Sequence, residues 1–531
     1  MRAFNQPGRS SIYANNAAMA TSHPLATQIG LQVLQSGGSA VDACIAATAV
    51  LSIAEPGMTG IGGDCFALIG QTGQPRQPIV AINGSGFSPQ QATREAAMAQ
   101  GLDTIPTHSP WAVTIPGAVA AWAQLHQDYG KLSWQQVLQP AIDYARQGVP
   151  VHERVAFDWQ THHQHLLQDP DTSAQYLNKG QPYKEGELFK QAKLAQTLNC
   201  IAQQGASAFY TGPIAEDMVN KLNSLGGCHQ LQDFAYQLSL GEDMYVQPVA
   251  QEFQGMTLWE CPPNGQGIAA QVIVAIMANF KVSNLGPTDY HHLLAEATKL
   301  AYQLRDSCIS DPTFMAYTAA DILHPEFINS LAASIDMQQA TPAPASVFPN
   351  HKDTIYLCCV DKDGLNVSFI NSIFNPFGSG ICAPEAGVLL QSRGASFNLS
   401  EAHTNCLNPR KRPLHTIIPA MLTAADRLVG PLGVMGGHYQ ACGHAHVLNL
   451  MLNYGHSAQA ALDAPRSFAY EDKLSVESSM PTDVIQGLRD KGHKVEVDDA
   501  PMGGGQCILR LANGVLQAAS DPRKDGLALG Y

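Results

Sequence analysis

The sequence predicts a large layered α+β fold, and three observations carry that expectation. At 531 residues the chain exceeds the length at which a single hydrophobic core stops growing, so it must form stacked layers or two closely merged segments. Helical periodicity dominates from about residue 110 to 340. Beyond a loose stretch at 335–353, the apolar runs become short and strand-like.

The elements follow in chain order. "HPLATQIGLQVLQSGG" sets Leu25, Ile29, Val33 and Leu34 along one helical stripe and stops at Gly37-Gly38, the residue type that ends helices in the left-handed conformation. Ser39 and Asp42 then form a capping-box start for a second helix. Its continuation, "ACIAATAVLSIA" (43–54), is small and apolar all round, which predicts burial, and its twelve residues are too few to cross a bilayer. "GIGGDCFALIG" (60–70) is a Gly-rich turn entering an apolar strand; it lacks the Lys-Ser/Thr of a phosphate loop and the spacing of a dinucleotide fingerprint. "LAEATKLAYQLRDS" (294–307) places Leu294, Ala297, Leu300, Ala301 and Leu304 on one helical face, and the region around it reads as scaffold. Residues 335–353, rich in Ala, Pro and Gln, form an internal linker. "TIYLCCVDKDGLNVSFINSIF" then predicts strand, Asp-Gly turn and strand, a β-hairpin with Cys358 and Cys359 on opposite faces. "TIIPAMLTA" and "GPLGVMGG" extend the strand-rich last third.

Composition limits the partners. Thirty Lys and Arg stand against forty-four Asp and Glu, a formal charge of −14 that repels nucleic acid and anionic membranes alike and favours a small-molecule substrate. The amino terminus has no apolar core of the signal-peptide kind, so a cytoplasmic location is expected. The twelve cysteines form no metal-like CxxC pairs and read as buried thiols. "THHQH" (161–165), "HH" (291–292) and "GHAH" (443–446) lack the carboxylate or thiolate spacing of a zinc site, so neither a metal nor any other cofactor is expected. A GxSxG nucleophile elbow is absent.

One nucleophile needs no separate base. If the backbone is cut before a Thr at the head of a strand, the new α-amine, with a pKa of about 7.7–8.0, can take the proton of that residue's own hydroxyl. Thr354 lies where the linker ends and the hairpin begins; taken alone it is simply a β-branched residue entering a strand. Gly436-Gly437 in "VMGGHYQACGH" could bring two backbone N–H groups to a carbonyl oxygen, although the same pair suits an ordinary tight turn.

With these residues in view the chain resembles the gamma-glutamyltransferase family of the N-terminal-nucleophile hydrolases. The likeness runs through "SGGSAVDACIAA", "GIGGDCFAL", residues 114–151, "CPPNGQGIAAQ", "YHHLLAEATKLAYQLRD", "DTIYLCCVDKDG", "FGSGICAPEAGVLL", "KRPLHTIIPAML" and "ASDPRKDGLALGY", nearly the whole chain in order. The resemblance implies a four-layer α-β-β-α sandwich and a precursor that cuts itself between Asp353 and Thr354. The products would be a large subunit (1–353) and a small catalytic subunit (354–531) sharing one fold, with a dimer of such heterodimers left open. It further implies that Ser372 supports the Thr354 hydroxyl and that Gly436 and Gly437 form the oxyanion pair.

Departures from the family pattern bear on the substrate. Ser85 stands where transpeptidases carry an Arg for the α-carboxylate, and His415-Thr416 replace the adjacent serines that share it. Arg393 and Ser396 occupy the places of a Gln and an Asp around the α-amino group, and Ile355-Tyr356 replace a Thr-His pair. Phe397 to Arg410 is shorter than the usual lid loop. These changes resemble the amidohydrolase-like branch, with its oxamate amidohydrolases and acylase-like members. They favour a small anionic amide whose carboxylate meets Arg393, His415 or His438. The alternatives are a gamma-glutamyltransferase or glutathione hydrolase acting on γ-glutamyl compounds, and an unprocessed non-catalytic relative.

Overall fold

Two seven-stranded antiparallel sheets organise the computed structural model, which describes residues 8–73, 79–342, 354–425 and 427–531. The first sheet has the order Leu527–Gly530, Ala18–Thr21, Ile355–Val360, Leu365–Ser372, Asp64–Gln71, Val80–Gly84, Tyr245–Val246. The second runs Ile12–Ala14, Leu516–Ser520, Gly504–Arg510, Arg427–Met435, Ala420–Ala424, Met256–Glu260, Val249–Phe253. Both sheets join strands from before residue 343 to strands from after residue 353.

The predicted hairpin forms in register, with Ile355 opposite Asn371 and Val360 opposite Asn366. Its turn closes through the Gly364 N–H to the Asp361 carbonyl at 3.1 Å, with Gly364 at a φ of +85° that glycine adopts readily. Every residue of both strands is buried, so strand alternation sorts them between two apolar layers. Ile355, Leu357 and Cys359 face the helices, whereas Tyr356, Cys358 and Val360 face the other sheet. The two adjacent cysteines thus fall on opposite faces, and all twelve cysteines are free thiols.

Three apolar clusters stack in sequence. One lies between the first sheet and helices that include Pro24–Gln35, Ala40–Ala54 and Trp134–Gln147. Another, with Phe66, Ile370, Met421, Met435 and Ile508, fills the space between the sheets. The remaining one packs the second sheet against Gly267–Met277, Pro287–Cys308 and Tyr439–Leu452. Ser39 and Asp42 cap the wholly buried helix Ala40–Ala54 reciprocally, and the first helix ends as expected, with the Gly38 N–H on the Val33 carbonyl at 2.9 Å.

Two expectations need amending. The region read as helical scaffold also contributes the hairpin Val249–Phe253 and Met256–Glu260, which completes one edge of the second sheet. Its short strands lie among longer helical signals and carry alternating exposure on one strand only, a weak period-two pattern. The linker is anchored where it begins: Ala340 N–H bonds the Lys491 carbonyl at 2.7 Å, and Thr341 N–H bonds the Glu296 carboxylate at 3.1 Å. Asp353, on the leading side of the expected cut, lies outside the described residues, whereas Thr354 on the other side is described.

Candidate active site

Thr354 sits fully buried at the head of the central hairpin. Its hydroxyl is 3.3 Å from that of Ser372, the last residue of the return strand, and Ser372 Oγ also accepts the Phe374 N–H at 2.9 Å. Hairpin register alone brings them together, since Ile355 pairs with Asn371 and the next pair outward is Thr354 with Ser372.

Ser372 is in turn the register partner of Asp64, the first residue of the neighbouring strand. The glycines before Asp64 are required by close backbone approach. A Cβ on Gly63 would lie 2.2 Å from the Ser372 carbonyl oxygen, and one on Gly62 2.2 Å from that of Leu389. Asp64 is a hub the sequence did not reveal. Its Oδ1 accepts the Gly86 and Gly117 N–H groups at 3.0 and 3.2 Å and the Gln391 amide at 2.9 Å, while Oδ2 accepts from His415 Nε2 at 3.0 Å. A single carboxylate opening an apolar strand was the available signal.

His415 is committed on both ring nitrogens, because its Nδ1 accepts the Ile417 N–H at 3.3 Å. Burial, with Arg393 beside it, pushes its imidazole down to about 3, so it is neutral at ordinary pH. It therefore offers a substrate carboxylate neither a charge nor a spare donor. Thr416 next to it accepts Arg393 Nη1 at 2.9 Å.

Arg393 is the exposed need of the site. It is fully buried, stacks its guanidinium 4.0 Å over the Phe374 ring, and leaves Nε and Nη2 without partners among the described residues. Burial lowers its pKa to about 9 despite the pull of Asp64. Two orphan donors on a buried cation are costly unless an anion completes them. Ser396 supports the Arg393 turn, its hydroxyl 2.8 Å from the Arg393 carbonyl and 3.0 Å from that of Leu414. Ser85 Oγ accepts from the Asn264 amide at 3.1 Å, and the Ser85 carbonyl accepts from Arg412 Nε at 3.1 Å.

The Gly436-Gly437 turn leaves the second sheet at Met435 and enters the helix Tyr439–Leu452, with φ of +122° and +56° that glycine adopts readily. The strand that ends in this turn packs on the hairpin that Thr354 heads, since the ring of Tyr356 would lie 2.3 Å from a Cβ on Gly433. Gln266, another residue missed from the sequence, fixes the turn by donating to the carbonyls of Gly437 at 2.9 Å and Thr416 at 2.8 Å. Its own oxygen accepts from Arg305 Nη1 at 2.8 Å. Arg305 also reaches His438 Nδ1 at 3.0 Å, and His438 stacks on Tyr470 at 5.0 Å. His438 is thus held at the turn by Arg305 and Tyr470. One lone Arg on the apolar face of the long helix was the sequence signal for this support.

A buried Thr hydroxyl beside a Ser hydroxyl, a glycine turn and a buried cation are groups that could carry acyl transfer from an anionic amide. Among the described residues one buried group, His292, Glu296 and His493, has metal-ligand spacing, but Lys299 Nζ lies 2.6 Å from Glu296 and already balances its charge.

Comparison with known proteins agrees over the full length. The family model for Gamma-glutamyltranspeptidase matches residues 26–531. The Glutathione hydrolase-like YwrD proenzyme of Bacillus subtilis is 35% identical, over 98% of this chain and 99% of its own. The Oxamate amidohydrolase proenzyme of Klebsiella pneumoniae is 34% identical, over 98% of this chain and 99% of its own. The crystal structure of cephalosporin acylase from Bacillus halodurans superposes with a TM-score of 0.92 at 35% identity, covering 100% of this chain and 99% of that one.

Proposed function

Because the chain belongs to the gamma-glutamyltranspeptidase family, we propose that it is a self-processing N-terminal-threonine amidohydrolase that hydrolyses the amide of a small, oxamate-like anion through an acyl-enzyme. The observation that carries the reading is the buried Thr354 hydroxyl, 3.3 Å from Ser372 Oγ at the head of the central hairpin. The fold it implies is the four-layer α-β-β-α sandwich of the N-terminal-nucleophile hydrolases, which the three stacked apolar clusters support.

In maturation, Thr354 Oγ attacks the carbonyl carbon of Asp353, the peptide bond breaks as its nitrogen takes a proton, and water hydrolyses the resulting ester. The freed α-amine then serves as base. In turnover it accepts the Thr354 hydroxyl proton as Oγ attacks the substrate amide. The Gly436 and Gly437 N–H groups receive the oxyanion, and the amine half leaves with the proton. Water, deprotonated by the same amine, cleaves the ester and releases the acid. Ser372 orients Oγ throughout, and Arg393 pairs with the substrate carboxylate, filling its two orphan donors. Ser85 brings no charge of its own, and the guanidinium beside it, Arg412, is already committed to the Ser85 carbonyl and stacked over Phe87, which weighs against glutamate recognition of the transpeptidase kind.

Intact mass tests the class. The wild-type protein should yield a fragment running from Thr354 to Tyr531, and Thr354→Ala should remain one chain. Ammonia release from oxamate, set beside aniline release from a γ-glutamyl anilide, tests the substrate. Preferred cleavage of the anilide would move the assignment to a γ-glutamyl hydrolase, and an uncut, inactive wild-type protein would make it a non-catalytic relative.

A further inference from the structure

A cleft opens at Gly436, and none of the other site residues identified from the sequence, Arg393 included, lines it. Tyr439, Phe468, Tyr470 and Met502 line it together with the charged Glu471, Lys473 and Asp498. The rings are ordered: Phe468 and Tyr470 lie nearly parallel, 5.3 Å apart with 9° between planes, and His438 continues the stack on the other side of Tyr470 at 5.0 Å. The Tyr439 hydroxyl is buried and has no hydrogen-bond partner among the described residues, although such a group normally finds one.

From this geometry we infer that the cleft is the subsite for the amine half of the substrate, and that it takes a flat, apolar, preferably aromatic amine substituent. The inference rests on the assignment of Gly436 as an oxyanion donor. If the substrate carbonyl lies at the glycine turn and its carboxylate at Arg393, the acyl half occupies the Arg393 flank. The amine half then takes the cleft that adjoins Gly436 and is not lined by Arg393, where Phe468 and Tyr470 offer an edge to an aromatic ring and the Tyr439 hydroxyl offers a hydrogen bond to a polar atom on it. The preferred substrates are thus N-substituted amides of a short anionic acid, with oxamate itself leaving the cleft empty.

A matched pair of substrates tests this on the mature wild-type enzyme. N-benzyloxamate should show a KM at least about tenfold below that of N-methyloxamate, the expected scale for seating one ring against aromatic walls. In Tyr470→Ala that ratio should fall toward one, and in Tyr470→Phe, which keeps the stack, it should persist. Chain splitting in each variant reports that it has folded. Hydrolysis of both amides with equal KM in the wild-type enzyme removes the subsite and leaves the amidohydrolase reading standing. Hydrolysis of neither amide, or of oxamate either, removes that reading and the subsite with it. A KM ratio unchanged in Tyr470→Ala also overturns the assignment.

Discussion

The two ends of the site differ in how completely the protein satisfies its own polar groups. At the catalytic end every named group is engaged: Ser372 with Thr354 and the Phe374 N–H, and the glycine turn with Gln266 and, through it, Arg305. At the recognition end Arg393 is buried with one bond to Thr416 and two nitrogens unfilled. The proposed reaction machinery is held in place by the fold alone, whereas the proposed recognition group, Arg393, is arranged for something the fold does not supply. The difference separates residues whose loss should damage turnover from those whose loss should damage affinity.

The largest effect should come from the catalytic end. Thr354→Ala should abolish both chain splitting and amide hydrolysis, a loss of at least about 10³-fold in kcat. Normal splitting in that variant would place the nucleophile elsewhere.

At the recognition end, Arg393→Met should raise KM for oxamate by roughly 10–100-fold, the range for losing a charged hydrogen-bonded contact of about 1.5–3 kcal/mol. Chain splitting should continue, and the melting temperature should hold or rise, because an underpaired buried charge has been replaced by apolar volume. A lowered melting temperature with unchanged KM would show that Arg393 is structural and would erase the contrast between the two ends.

Gln266→Leu should act in the opposite sense. With the Gly437 and Thr416 carbonyls left unfilled, kcat should fall by about tenfold with KM little altered, and stability should drop by about 1–3 kcal/mol. Steady-state kinetics read beside a denaturant melt separate the two effects.

The smallest effect concerns pH. The folded-state pKa of His415, at about 3, lies below its unfolded value of about 6.5. The unfolded chain therefore binds the proton first, and stability is lost as pH falls from about 6.5 toward 3. Replacing His415 with Asn should flatten that part of the melting-temperature profile. The rise of kcat/KM with pH near 7–8, assigned to the Thr354 amine, should keep its midpoint, since neutral His415 takes no part in it.

Local features of the fold were legible in the sequence, and long-range pairings were not. The hairpin at Thr354, the capped helix from Ser39 and the split of Cys358 from Cys359 follow from patterns a few residues long. The turn glycines at 436 and 437 belong with them, since positive φ limits the residue types that fit. Asp64 could not be read as a hub, because His415, one of its partners, is separated from it by most of the chain. Arg305 reads as part of an amphipathic helix until Gln266 and His438 are seen beside it. For the same reason His415 looked available to substrate: its type was visible, but not the bonds that occupy it.

The interleaving of the sheets has a consequence for how the protein would endure once cut. Ile355–Val360 lies between Ala18–Thr21 and Leu365–Ser372, and Leu365–Ser372 lies between Ile355–Val360 and Asp64–Gln71, so no plane divides the pieces on either side of Thr354. A break there would create two polypeptides whose mutual surface is the core itself. Intact, they would gain nothing by parting; once melted, they could no longer find each other as neighbours on one chain, and recovery would depend on concentration. Self-cleavage would therefore turn a refoldable molecule into a kinetically sealed one, whose lifetime is set by its rate of first opening rather than by an equilibrium.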